Sequence, residues 1–395
     1  MCRGPDTTGK PHDESANESN AMRMKAAVQY AVNEPLVVQE VELDPPKAGE
    51  VLIKLAATGV CHSDLRAFQG ENPRPFPTIL GHEGAGVVQE VGPGVTDVVP
   101  GDHVVLTFLP ACGKCRWCHI GHPNKCDLAA LIRTGRLLDG TTRHHLPDGT
   151  DISSFLFIST FAEYTVAPEA SILKVPNHLP LDRLCLFGCG FTTGFGATTN
   201  AVHIRPGESV TIVGCGGLGL SAIQGAHLSG AGTIIAIDLH ESKLEMARKF
   251  GATHTIQNRG DIDAIIEEIN EVTWGVGTDY SFEIVGLLES DETLNIAFRA
   301  ARKGGTVCFV GGGSPDRRTI PVDPFTLQQW QKTITGVLFG ASQFKVDIPR
   351  FISLYEKNRI NLDDLITHQF ALEDINTALN NLHRPDGIGR QIIVF

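Results

Sequence analysis

No run of about eighteen apolar residues, the length a helix needs to cross a bilayer, passes unbroken through this sequence. Its most apolar region, SVTIVGCGGLGLSAIQGAHLSGAGTIIAID, is interrupted by glycines and polar residues, which excludes a membrane span. Basic charge is also scarce. Lysine and arginine number 33 against 45 aspartates and glutamates, for a net charge of −12, and the basic stripe of a nucleic-acid binder is missing. The opening MCRGPDTTGKPHDESANESNAM has neither an apolar h-region nor an aromatic residue. It does not read as an export signal, and its polarity predicts a disordered tail over 1–24, with order starting near Lys25. Ten cysteines in a chain without an export signal are expected to stay reduced, in the cytoplasm, which disfavours a disulfide framework.

What is present describes a globular enzyme-sized chain. With 395 residues, 42% of them hydrophobic and 20% charged, the sequence predicts a soluble protein of two domains, possible room for a third included. From Lys25 to about Gly190 the apolar residues come in short β-branched runs separated by Gly and Pro, such as EVLIKLAATGV, GAGVVQEVG and GDHVVLTF. These read as strands joined by turns. After Gly190 the rhythm changes. SVTIVG reads as a strand, LGLSAIQGAHLSG as a helix, TIIAID as a strand and HESKLEMARKFG as a helix ending at Gly251. DYSFEIVG and GTVCFVGGG continue the alternation, which predicts a doubly wound parallel α/β sheet over 191–336. The flanking segments 25–190 and 337–395 are expected to form one domain around it.

Within that alternation, GCGGLG places Gly214, Gly216 and Gly219 in the GxGxxG spacing, after a strand and at the start of a helix. Alone the spacing is weak, because glycine-rich loops produce it by accident; the strand–helix context is what makes it a dinucleotide site. Gly214 permits the tight turn, Gly216 lets backbone approach a pyrophosphate, and Gly219 lets the helix pack on the strand. The helix N-terminus then offers its free N–H groups to the phosphates. Asp238 closes the next strand, nineteen residues after Gly219. A carboxylate there accepts hydrogen bonds from ribose hydroxyls and repels a 2′-phosphate, which favours NAD over NADP.

Two groups of cysteines call for a separate account. CGKCRWCHIGHPNKC holds Cys112, Cys115, Cys118 and Cys126 within fifteen positions. Such a cluster could be a redox device, a disulfide staple or a metal cage. A redox pair would use one C-x-x-C and leave two thiols unexplained, whereas four thiolates at these spacings suit a closed, structural tetrahedral zinc site. Arg116, Trp117 and His119 in the same loop read as surface or packing residues. The second group is scattered: Cys61 in TGVCHSDL, His82 in LGHEGAG and Cys189 in FGCGF. Each alone reads as a buried small hydrophobe or a structural histidine. Together they offer two thiolates and an imidazole, a set already known from zinc alcohol dehydrogenases. Cys2, Cys185, Cys215 and Cys308 match no ligand motif, and His144 and His145 are expected in an exposed loop.

The motifs CHSD, GHEGAGVVQEVGPGV, the four-cysteine lobe, GCGFTTGFGA, VGCGGLGL and the terminal GIGR stand in the order found in the zinc-dependent medium-chain alcohol dehydrogenases. The sequence resembles that family from Lys25 to Phe395. The resemblance implies a GroES-like catalytic domain plus a Rossmann domain, two zinc ions per chain, and hydride exchange between an alcohol or aldehyde and NAD. By this similarity Cys61, His82 and Cys189 hold a catalytic zinc, with Glu83 behind the metal and Asp64 orienting His82. Ser63 bonds the substrate oxygen. Thr193 and Leu218 pack on the nicotinamide, Lys243 reaches the adenosine ribose, and His62, Gly217 and Arg390 lie toward the pyrophosphate. Phe108, Phe155 and Leu156 resemble pocket-lining positions and imply apolar primary alcohols, medium-chain or aromatic. The segment 131–159 resembles the loop of the dimeric branch and implies a homodimer. Two variants of the activity remain open: a nicotinoprotein that retains its NAD, and a formaldehyde–thiol adduct dehydrogenase, whose carboxylate-gripping arginine is replaced here by Ala130. A further departure is Arg66, which stands where many relatives carry the histidine of a proton relay and cannot act as a base.

Overall fold

The computed structural model describes residues 21–71, 73–286, 290–313, 319–320, 322–382, 384, 387 and 389–395. Most of the expected tail, with Cys2, lies outside these residues. Its end is corrected: strand β1 spans Met22–Gln29, so regular structure begins before Lys25. The alternating burial of MRMKAAVQ, with Met24 and Ala26 to Gln29 inside, is what recruits Met22 to Met24 into the strand.

The first domain continues with β2 (Val37–Leu43), β3 (Glu50–Val60), α1 (His62–Phe68), β4 (Thr78–Ile79), β5 (Gly84–Val91), β6 (His103–Leu106) and α2 (Arg116–His119). Then come β7 (His144–His145), β8 (Asp151–Ser154), β9 (Tyr164–Pro168), β10 (Ile172–Val175), α3 (Leu181–Leu184) and α4 (Gly190–Thr199). The alternation read from the sequence follows as β11 (Ser209–Val213), α5 (Gly217–Leu228), β12 (Thr233–Asp238), α6 (Glu241–Lys249), β13 (His254–Gln257) and α7 (Ile262–Val272). It ends with β14 (Thr278–Glu283), α8 (Glu292–Ala300), β15 (Ala301–Phe309), α9 (Pro324–Gln329) and β16 (Thr333–Gly336). The chain closes with α10 (Phe344–Glu356), β17 (Ile366–Phe370), α11 (Ile375–Asn381) and β18 (Arg390–Val394).

The six strands β13-β12-β11-β14-β15-β16 form one sheet in that order, every pairing parallel. Strand order reverses around β11, which leaves a crevice at the carboxyl ends of β11, β12 and β14. The first domain holds a closed barrel, β1-β2-β7-β8-β4, and a sheet ordered β10-β6-β5-β3-β18-β17 with β9 also on β3. Strand β18 comes from the end of the chain and pairs antiparallel with β3, so the C-terminus completes the N-terminal domain. Among the described residues no helix is long and apolar enough to cross a membrane.

The two domains are joined where α4 lies on α5. Glycine permits the closeness: a Cβ on Gly194 would stand 2.1 Å from the Leu218 carbonyl, and one on Gly225 2.2 Å from Thr198 Oγ1. Beneath α4, Phe187, Phe191, Phe195 and Phe351 pack as edge-to-face and stacked rings, the Phe195–Phe351 centroids 4.8 Å apart. Burying each such ring is worth ~1.5–3 kcal/mol, and the cluster fixes α4 between the domains.

The expectation of an exposed loop at His144 and His145 is corrected. These residues are β7 of the barrel, pairing with Leu43 and Glu42 of β2, and His144 is only 2% exposed. Closing the barrel between β2 and β8 draws the imidazole inside. His145, half-buried, meets Asp44 and Asp151 instead.

Candidate metal centre and dinucleotide crevice

Strand register assembles the first constellation. Thr58 of β3 faces Gly84 of β5, so Cys61, just beyond β3, comes beside His82 and Glu83, just before β5. The Gly59 N–H donates to the Glu83 carbonyl at 3.0 Å and holds the two ends together. Cys189 arrives from the N-cap of α4. Its approach requires Gly188, where a Cβ would lie 2.6 Å from the Leu106 carbonyl and 3.0 Å from Glu83 Cα. One ligand atom from each of Cys61, His82, Glu83 and Cys189 falls within 4.8 Å of the others, and all four residues are buried.

The surrounding hydrogen bonds orient this set. Asp64, in the first turn of α1, takes the Cys61 N–H on Oδ2 at 3.0 Å and meets His82 Nδ1 with Oδ1 at 2.7 Å. That leaves His82 Nε2, buried and without a hydrogen-bond partner, facing the thiols. Buried polar nitrogens are seldom left so, and a cation among two thiols and an imidazole would satisfy it. Burial disfavours charge on His82, but Asp64 outweighs it and raises the imidazole well above its ordinary value. Cys189 beside it holds the Cys61 thiol well below the thiol range, while Cys61 and burial push Cys189 up. One thiolate is thus favoured even before a cation arrives. The donor set fits zinc.

Glu83 lies behind this set with Arg390. Arg390 Nη2 donates to Glu83 Oε2 at 2.5 Å and the Gly190 N–H donates to Oε1 at 3.2 Å. Burial pushes the Glu83 carboxyl up to about 7, against the pull of Arg390. Arg390 therefore faces the metal side with its guanidinium, while its stem lies along Gly217, where a Cβ would come within 2.2 Å of Cδ. The resemblance pointed to the pyrophosphate alone. The structure shows a buried ion pair as well, with Nε still without a partner.

An aromatic wall stands around His82. Phe108 and Phe155 each present an edge-to-face contact to its ring at 5.8 Å, and Phe339 packs edge-on against Phe108 at 5.2 Å. Leu156 is buried next to Phe155. Ser63 and His62 are exposed on the first turn of α1. Phe339 was not singled out by the sequence, because it lies in no motif and is brought in only by the chain's return after β16. Arg74, whose guanidinium lies 4.4 Å over the Phe155 ring, also lies in no motif and was missed.

The lobe gathers the second set around α2. The thiols of Cys112, Cys115, Cys118 and Cys126 lie within 4.8 Å of one another, with Cys112–Cys118 and Cys115–Cys126 at 3.9 Å. Backbone N–H groups of Lys114 and Cys115 point at Cys112 Sγ at 3.4 and 3.3 Å, and that of Cys112 at Cys126 Sγ at 3.4 Å. N–H donors aimed at sulfur suit thiolate ligands. The backbone N–H of Asp127 and then of Cys118 bring Cys115 down to about 6, whereas burial pushes Cys126 up to about 12. Four sulfurs and no open position fit a structural zinc ion. Arg116 and His119 are exposed and Trp117 half-buried. Cys185, Cys215 and Cys308 are buried and belong to neither set.

At the crevice, Gly214 adopts φ +102°, and a Cβ on Gly219 would stand 1.9 Å from the Gly214 carbonyl. Gly216, the N-cap of α5, has open space where a Cβ would be. The turn therefore offers a bare backbone and the N-terminus of a twelve-residue helix, the cradle a pyrophosphate requires. Asp238 ends β12 half-buried; its Oδ2 accepts the Cys215 N–H at 2.8 Å and its Oδ1 that of His240 at 3.1 Å. It braces the glycine turn while keeping lone pairs for a ribose. Lys243 sits in the first turn of α6, and Thr193 and Leu218 lie on the packed faces of α4 and α5.

Comparison with known proteins identifies the family. The model of the alcohol dehydrogenase GroES-like domain matches residues 47–177, and that of the zinc-binding dehydrogenase domain matches 217–357. The chain is 39% identical to an NDMA-dependent alcohol dehydrogenase of Amycolatopsis methanolica, over 91% of this chain and 96% of that one. It is 38% identical to an S-(hydroxymethyl)glutathione dehydrogenase of Paracoccus denitrificans, over 95% of this chain and 100% of the relative. Its fold superposes on benzyl alcohol dehydrogenase of Acinetobacter calcoaceticus with a TM-score of 0.88 at 33% identity, covering 95% and 99% of the two chains. With both domain models matched and nearly the whole length shared, the chain belongs to the zinc-dependent medium-chain alcohol dehydrogenases and is an oxidoreductase.

Proposed function

We propose that the chain oxidises apolar primary alcohols, medium-chain or aromatic, with NAD as coenzyme and two zinc ions of unequal role. The observation that carries the reading is the pair Phe108 and Phe155, both edge-on to the His82 ring of the Cys61–His82–Cys189 set. Zinc there supplies Lewis acidity toward an alcohol oxygen, and NAD supplies the hydride acceptor. The protein's own groups arrange the rest. Asp64 fixes the His82 tautomer so that Nε2 faces the metal position. Arg390 pairs with the Glu83 carboxylate beside the thiols. Ser63, exposed at the cleft, takes the alcohol proton on Oγ and passes it toward solvent, since Arg66 cannot accept it. Thr193 and Leu218 bear on the nicotinamide, with Lys243 and Asp238 on the adenosine ribose. The solved benzyl alcohol dehydrogenase supports an aromatic substrate.

Two variants have support of their own. A relative named for NDMA dependence favours a form in which NAD stays bound and electrons leave to a second acceptor. A relative acting on S-(hydroxymethyl)glutathione favours a thiol adduct, but Ala130 offers that adduct no charge. For the assembly we propose a homodimer, which light scattering would overturn by giving a tetramer mass. The pocket is tested by kcat/KM with NAD for benzyl alcohol, hexanol and ethanol. Benzyl alcohol and hexanol should lead; a lead for ethanol contradicts the apolar pocket. Absorbance in the reduced-nicotinamide band on the protein as purified distinguishes retained from exchanging NAD.

A further inference from the structure

Arg66 joins the two domains. It lies on α1 of the first domain, and its Nη2 donates to the Gly313 carbonyl at 2.7 Å, 247 residues along the chain. Gly313 follows β15 of the parallel sheet, so this bond runs from the catalytic domain to the carboxyl end of the Rossmann sheet. Both ends of the contact are braced. On the first-domain side, Glu71 Oε2 accepts from Arg66 Nε at 2.8 Å, and the Glu71 N–H donates to the Arg66 carbonyl at 3.0 Å. The two side chains are only 21% and 27% exposed.

On the other side, the Glu283 carbonyl accepts from the N–H groups of Val310 and Gly311 at 2.9 and 3.1 Å. Glu283 Oε1 in turn accepts from Val285, Gly286 and Thr293 at 3.0, 2.8 and 2.9 Å. The segment after β15 is thus tied to the end of β14. Gly312 has φ +76°, and a Cβ there would come 3.1 Å from Arg66 Nη1, so the guanidinium lies against bare backbone. The end of β14 borders the glycine turn directly: the Ile284 N–H donates to the Val213 carbonyl at 3.0 Å, and a Cβ on Gly214 would meet Val285 at 2.6 Å.

We propose that Arg66 is a positioning residue that clamps the Val310–Gly313 segment across the mouth of the dinucleotide crevice and slows release of the coenzyme. This rests on the dinucleotide reading of the glycine turn. Coenzyme leaving the crevice must pass between the domains, and the charge-assisted bond to Gly313 must break for them to part. Arginine suits the task because its charge persists at every physiological pH and its planar fork serves Glu71 and Gly313 together.

The test is the dissociation rate of NADH from the full-length protein, followed by stopped-flow fluorescence as excess NAD displaces it. Removing a hydrogen bond from a charged donor is expected to speed release ~10-fold or more in Arg66→Gln. Arg66→Lys, which keeps a cationic donor, should recover part of the effect, and Glu71→Gln should fall between them. A purely structural role would lower the melting temperature of these variants without this ordering of release rates. Equal release rates in the native protein and all three variants would overturn the clamp alone. A native protein that neither binds NADH nor carries a nicotinamide nucleotide as purified would overturn the dinucleotide reading and the clamp with it.

Discussion

At the scale of single residues, the proposed function gives the Asp238 carboxylate two services. It braces the glycine turn through the Cys215 N–H and stands at the end of β12 where a ribose would lie. The two services separate under mutation. Asp238→Asn keeps an acceptor for Cys215 but loses the charge, so it should improve NADP use while leaving the turn intact. Asp238→Gly loses both and should lower kcat/KM for NAD by ~10-fold or more, as expected for hydrogen bonds to a charged group. Steady-state kinetics with both coenzymes check this, and unchanged NAD-to-NADP selectivity in both variants would contradict the role. Residues of this kind were legible in the sequence because their chemistry travels with a local motif. Asp238 follows a strand at a fixed distance from the glycines, and each lobe cysteine has its partners within fifteen positions. Arg390 was only half legible. Its bond to Glu83 spans 307 residues and exists because β18 pairs with β3, which no local pattern announces.

At the scale of elements, the four inner strands of the parallel sheet, β12, β11, β14 and β15, were read from the sequence, and the edge strands β13 and β16 were not. TIIAID is strand β12 and SVTIV is β11, and the helix read from HESKLEMARKFG ends near Gly251, which takes φ +114°. Buried parallel strands announce themselves as continuous apolar runs. The barrel did not. Strands β4 and β7 are two residues long and carry no alternation, so their burial comes from closure rather than pattern, and His144 was misplaced as a result. That burial has a consequence for acid stability. Burial first, then the neighbouring His145 and Arg143, lower the His144 imidazole to about 4. Between the ordinary histidine value near 6.5 and about 4, the unfolded chain binds a proton that the folded barrel refuses. Stability is therefore fully present above about pH 6.5 and falls by about 3 kcal/mol as the pH drops through this window. In His144→Leu this loss should vanish. Melting temperatures from pH 4.5 to 7 should converge or cross in favour of the variant as the solution becomes acid. Parallel pH profiles would contradict the buried neutral histidine.

At the scale of the whole molecule, the two thiol sets sit in different places, and the proposed function gives them different jobs. The lobe around α2 is half exposed and closed on four sulfurs. The set at Cys61, His82 and Cys189 is buried where the first domain meets α4, itself packed on α5 of the second domain. On the proposed function, that placement would let one centre serve both the alcohol and the dinucleotide. The central claim, that Cys61, His82 and Cys189 hold the zinc at which alcohol is oxidised, is tested most directly by counting zinc per chain alongside benzyl alcohol oxidation in the native protein and in Cys189→Ala. The account predicts two zinc ions and turnover in the native protein, and one retained zinc, near-native folding and no measurable turnover in the variant. A native protein fully active with one zinc per chain, or a variant that loses a zinc and still turns over, would contradict it.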